Sequence, residues 1–166
     1  TEKHETIAKV IKEMDDAGVD MQVLSHGAPS TQKLPADTAV AITRGVNDRL
    51  AAACAANPKR FAAFAALPSN DPKAAADELE RAVTKLGMKG AMMHGLSSGV
   101  FLDDKRFWPI YERAEKLDVP IYFHPATPDS LLDRIAEYLE QGTSSFSFFN
   151  DTVNIEAMKR RGFSND

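Results

Sequence analysis

Three of the four histidines in this 166-residue chain stand at or just past the ends of short apolar runs, where rigid strands could aim imidazoles at one place. His124 closes Val119-Pro120-Ile121-Tyr122-Phe123-His124 and is followed at once by Pro125. His94 closes the run over residues 89–94, and His26 follows the run over 19–25, in Ser25-His26-Gly27-Ala28-Pro29. A neutral imidazole is a borderline metal ligand and a proton carrier near neutral pH, so histidines gathered at strand tips suit metal binding or acid–base work. The plainer reading of each is a polar side chain held by a hydrogen bond, or, for His26, an exposed loop residue.

Other residue types point to structure. Asp103 and Asp104 precede a helix and fit an N-cap and a partner for the helix dipole. Cys54 lies in Leu50-Ala51-Ala52-Ala53-Cys54-Ala55-Ala56, a helical run in which a thiol serves as a small buried group. Phe107, Trp108 and Tyr111 have helical spacing and are expected to pack in the core or between helices. Phe146, Phe148 and Phe149 alternate partly like a strand, or form an interface.

The elements that must position these residues alternate between two periods. Helices are predicted over 5–17, with Ile7, Val10, Ile11 and Met14 on one face and Gly18 as C-cap, and then over 36–57, 71–86 and 104–117. Between them, 19–25, 60–67, 89–94 and 119–124 read as strands, and 95–99 as a flexible loop. Asp71-Pro72 is a strong helix start, with Asp71 as N-cap and proline at the first helical position. Short connections between alternating helices and strands are the signature of βα units around a parallel sheet, so the fold class is α/β. Residues 131–139 fit an amphipathic helix, while 142–151 fit no further βα unit. This gives a domain over 1–128 and a C-terminal segment, 129–166, of separate character.

Composition narrows the partners. At 43% hydrophobic and 27% charged, the chain belongs to the globular class and can bury a core. A net charge of −4, with lysines and arginines dispersed, leaves no footprint for nucleic acid or an anionic membrane, and favours a small-molecule partner. One cysteine permits no disulfide within the chain, and no apolar run nears the roughly 18 residues of a membrane span, so a cytoplasmic protein is expected. No Gly-x-Gly-x-x-Gly or P-loop follows any strand, which weakens a nucleotide-binding reading.

Several passages together resemble one family. Arg60-Phe61-Ala62-Ala63-Phe64-Ala65-Ala66-Leu67-Pro68, then Asp71-Pro72 with Glu78-Leu79, then Leu86-Gly87-Met88-Lys89-Gly90-Ala91, then Phe107-Trp108-Pro109-Ile110-Tyr111 and the run through His124-Pro125 occur in order. They are similar to the amidohydrolase-related family that includes aminocarboxymuconate semialdehyde decarboxylase and the resorcylate and dihydroxybenzoate decarboxylases. The likeness runs from Glu5 to Pro128. It implies a (β/α)8 barrel of the TIM type, with this chain supplying strands two to five, about half of it. It also implies a divalent metal, zinc or manganese, at the mouth, with His124 as a ligand.

The resemblance further implies a non-oxidative decarboxylase of an aromatic or enoic carboxylic acid. His94 and His26 are then substrate-contacting residues, His94 at a position where relatives more often carry asparagine or other polar residues. Self-association is expected from the same source. The family's first-strand Glu-x-His or His-x-His pair, its later histidine and its last-strand aspartate have no counterpart here. His4 opens a helix, and no catalytic acid is identified. A metal-dependent hydrolase on the same scaffold, or an inert partial barrel that binds or assembles, are the alternatives.

Overall fold

A computed structural model describes residues 2–27 and 30–124, with side chains described from residue 7. All of these fall in one compact unit, Thr1–Ala126. The boundary expected near residue 128, the helix over 131–139 and the Phe146, Phe148 and Phe149 cluster lie outside the described residues.

The helices are α1 (Glu2–Asp16), α2 (Ala36–Ala56), α3 (Pro72–Leu86) and α4 (Trp108–Leu117). The strands are β1 (Gln22–Leu24), β2 (Phe61–Ala63), β3 (Ala65–Ala66), β4 (Ala91–His94), β5 (Leu96–Ser97), β6 (Val100–Phe101) and β7 (Ile121–His124). β1 pairs with β2, and β3 with β4 and then β7, all in parallel. Phe64 alone separates β2 from β3, and its amide donates to the Leu24 carbonyl at 2.9 Å while the Ala65 amide donates to Gly90 at 2.9 Å. The wall therefore runs β1, β2–β3, β4, β7 in chain order, each step crossed by a helix. An open doubly wound sheet reverses its order at a switch point, and no reversal occurs among the described strands.

Burial separates the two faces of this wall. Ala63, Ala65, Ala91 and Met93 join Leu79 of α3 and Ile110 and Ala114 of α4 in the core. Alternation then turns Ala62, Phe64, Met92 and His94 to the opposite face, and strand pairing adds Val23, Tyr122 and His124 to it. Phe64 and Tyr122 stack on that inner face, ring centres 6.4 Å apart. Gly90, at φ +150°, lies where β4 approaches the segment before β7, and a Cβ there would come within 2.3 Å of the Pro120 carbonyl oxygen.

Local signals explain most boundaries. Asp71 caps α3 by accepting from the Ala74 amide at 3.0 Å, Pro72 follows it, and Gly87 closes the helix in the left-handed region. Gly18, at φ +68°, ends α1 in the same way. The helix expected over 104–117 begins instead as a 3-10 turn, Lys105–Phe107, capped by Asp104, because Pro109 sets the start of the α-helix proper.

The strand expected over 60–67 breaks at Phe64, and the loop expected over 95–99 contributes to a hairpin of β5 and β6. Its Ser98 and Gly99 both have positive φ, the combination that tight hairpins require. Phe107 is buried as expected, whereas Trp108 is half exposed, with the Lys105 ammonium 5.5 Å from its ring centre.

Candidate functional site

All of the parallel strands end on the same side, and the three singled-out histidines lie there. Parallel register sets His94 directly opposite His124, and their ring centres stand 5.1 Å apart at a 52° tilt. The Gly95 amide donates to the His124 carbonyl at 3.0 Å, fixing the two strand tips against each other. His26, in the loop after β1, reaches the pair through its backbone. Its carbonyl oxygen lies 3.0 Å from Nε2 of His94, while its own ring meets the Ser30 hydroxyl at 3.2 Å.

A carbonyl oxygen only accepts, so Nε2 of His94 carries the proton and Nδ1 keeps its lone pair. That Nδ1 is buried and without a hydrogen-bond partner among the described residues, in a side chain only 3% exposed. Burial pushes the His94 pKa below its ordinary range, partly offset by the His26 carbonyl, with the nearby imidazoles His124 and His26 pushing in the same direction as burial. His94 is thus a neutral imidazole with a fixed tautomer at neutral pH.

Around these histidines the loops that follow the strands are joined by buried polar contacts. Gln32 donates its amide to the His94 carbonyl, Thr31 and Thr43 share a hydrogen bond at 3.1 Å, and Ser69 donates to Ser97 at 2.9 Å. Asn70 donates to the Leu34 carbonyl, and its buried Oδ1 is unpartnered among the described residues. Sequence reasoning passed over these residues. Their signal is position, since groups just past the C-terminal ends of parallel strands line the mouth of such folds.

Beneath the mouth, Asn47 of α2 acts as a strand partner for β3. It accepts from the Ala66 amide at 2.9 Å and donates to the Ala66 carbonyl at 3.0 Å and to Glu78 at 2.8 Å. Glu78 is buried and paired with Arg81, which also reaches Asp48. The network holds α2 and α3 to the wall.

Among the described residues no group of three or more histidine, cysteine, aspartate or glutamate side chains could hold a metal ion. What they offer is the His124 and His94 pair, with one bare nitrogen whose partner is still to be supplied, and this fits part of a metal shell. Asp103 and Asp104 take no part in it, and Asp104 accepts from the Arg106 amide as a cap. Among the described residues no helix is long and apolar enough to cross a membrane.

The described residues thus form a parallel α/β wall in chain order that carries imidazoles at its strand tips. The amidohydrolase family model matches residues 2–158, and the chain belongs to that family. It is 42% identical over 137 residues to a gamma-resorcylate decarboxylase of Rhodococcus jostii (strain RHA1), a match covering 76% of this chain and 42% of that protein.

Solved structures give the same picture. The 5-carboxyvanillate decarboxylase of Novosphingobium aromaticivorans, complexed with manganese and 4-hydroxy-3-methoxy-5-nitrobenzoic acid, superposes with a TM-score of 0.75 at 36% identity, covering 78% of this chain and 38% of that one. A dihydroxybenzoic acid decarboxylase of Polaromonas sp. JS666, with manganese and 2-nitroresorcinol, gives 0.73 at 39% identity, covering 78% and 41%. The chain spans about two fifths of the length of the relatives it matches.

Proposed function

We propose that this chain forms part of a metal-dependent, non-oxidative decarboxylase acting on an aromatic or enoic carboxylic acid. The observation that carries the reading is the registered pair His94 and His124 at the tips of β4 and β7, in a family whose matched relatives include decarboxylases, two of them solved with manganese and an aromatic ligand. The wall then corresponds to strands two to five of a (β/α)8 barrel, with its inner face, including the half-exposed Val23 and Tyr122, turned to the barrel interior.

In this reading His124 holds a manganese or zinc ion. When bound, the ion supplies positive charge to a carboxylate and a neighbouring oxygen, which favours charge developing as carbon dioxide leaves. The chain's own residues do the positioning. Register and the Gly95 amide fix the direction of His124, the His26 carbonyl fixes the tautomer of His94, and Gln32 holds the end of β4. Phe64, Met92 and Tyr122 present an apolar floor on the inner face, suited to a flat ring. His94 and His26 lie on the substrate's side of the mouth. Self-association, a small-molecule acid as partner and a cytoplasmic setting complete the proposal.

The test is to assay the full chain in its natural form with Mn2+ and a set of hydroxybenzoic acids, following carbon dioxide release. Metal-dependent release supports the reading. Release that persists after chelation and in His124→Ala contradicts it. A 2-keto-4-carboxy-3-hexenedioate hydratase of Sphingobium sp. (strain NBRC 103272 / SYK-6) is also a relative, at 30% identity, and favours water activation as the second reading.

A further inference from the structure

We infer that His94, through Nδ1, is a second imidazole ligand of the ion that His124 holds, so that the acid meets His94 by way of the metal and not by a direct hydrogen bond. This rests on the metal reading of His124 and goes beyond it. Imidazoles that bind metal commonly donate their other N–H to a carbonyl or carboxylate, which fixes the ring and leaves the opposite lone pair for the ion. His94 has that arrangement already: Nε2 is engaged by the His26 carbonyl at 3.0 Å, and Nδ1 is buried with no partner among the described residues. A lone pair in such a place is costly unless something meets it. The ring beside it, at 5.1 Å between centres, belongs to the residue that holds the ion.

The test loads the full chain in its natural form with Mn2+ and measures affinity together with imidazole–nitrogen hyperfine coupling by pulsed EPR, in wild type, His124→Ala and His94→Asn. Asparagine keeps an N–H for the His26 carbonyl and an oxygen able to accept from a substrate. The expected result is a fall in Mn2+ affinity in His94→Asn of at least the roughly 10- to 100-fold that losing a residue behind a ligand costs, with one coupled nitrogen lost. A second measurement needs no variant. On adding Zn2+ to 15N-labelled wild type, the His94 Nδ1 signal should leave the position of a free lone pair for that of a metal-bound nitrogen.

If His124→Ala loses Mn2+ while His94→Asn keeps wild-type affinity and coupling, the ligand role is overturned and the metal reading stands. If wild type takes up no Mn2+, or His124→Ala binds it as wild type does, both fall. An Nδ1 signal unmoved by Zn2+ that wild type has bound also overturns the ligand role.

Discussion

His94 and His124 face one another across a parallel strand pair in register, with ring centres 5.1 Å apart. That spacing is a property of the backbone. Each imidazole is the last residue of its strand, so whatever holds β4 against β7 also holds the two rings.

Gly90 is the first such constraint. A side chain at this position would meet the Pro120 carbonyl at 2.3 Å and the Phe64 ring at 3.2 Å, from a backbone at φ +150° that other residues rarely adopt. Gly90→Ala should destabilise the fold by about 2–4 kcal/mol, from strain and overpacking together. Chemical denaturation followed by circular dichroism checks this, and an unchanged midpoint would refute it.

Asn47 ties α2 to the neighbouring strand β3 and to Glu78 of α3. Asn47→Ala removes both hydrogen bonds to Ala66 and one of the donors to Glu78, which keeps Arg81, at a cost of about 2–4 kcal/mol. Asn47→Asp should be no better, because it offers no amide donor and sets a second carboxylate beside Glu78. Thermal melts of the two variants against wild type measure the difference, and a fully stable Asn47→Asp would show that the amide donor is dispensable.

Asp71→Ala removes the cap on the Ala74 amide and should cost about 1 kcal/mol, while Asp71→Ser should recover most of it. Urea midpoints of the three proteins decide, and equal midpoints for Ala and Ser would contradict the capping role.

Cys54 is half-buried and lines an apolar cavity of about 270 Å³ with Met21, Phe61, Leu86 and Met88. Burial pushes its thiol pKa up, so at neutral pH it stays protonated. Alkylation by iodoacetamide should be slower than for a cysteine peptide, and its rate should keep rising above the pH at which the peptide's rate levels off. A rate equal to the peptide's at pH 7 would contradict this.

The limits of the sequence reading follow from the range of the forces involved. Asp71, Pro72 and Gly87 act within one helical turn, and α3 was legible almost to the residue. The break at Phe64 was not, because it arises where the chain passes from pairing with β1 to pairing with β4, a choice made by strands far away in sequence. The β5–β6 hairpin is too short for hydrophobic alternation to register, although Ser98-Gly99 was its available signal. At the site, the strand-tip positions of His94 and His124 came from the apolar runs that precede them. The fixed tautomer of His94 depends on the His26 carbonyl, a backbone contact that no side-chain pattern encodes. Asn47 and Glu78 read as ordinary polar helix residues until β3 is placed beside them.

The central claim is that His124 binds a divalent ion. The most direct measurement is the metal content of the purified full chain in its natural form, wild type against His124→Ala, with circular dichroism to establish that both are folded. The account predicts about one manganese or zinc per chain in wild type and a near-complete loss in the variant, with the helical signal retained. Equal metal content in two folded proteins, or none in folded wild type supplied with Mn2+ and Zn2+, would contradict it.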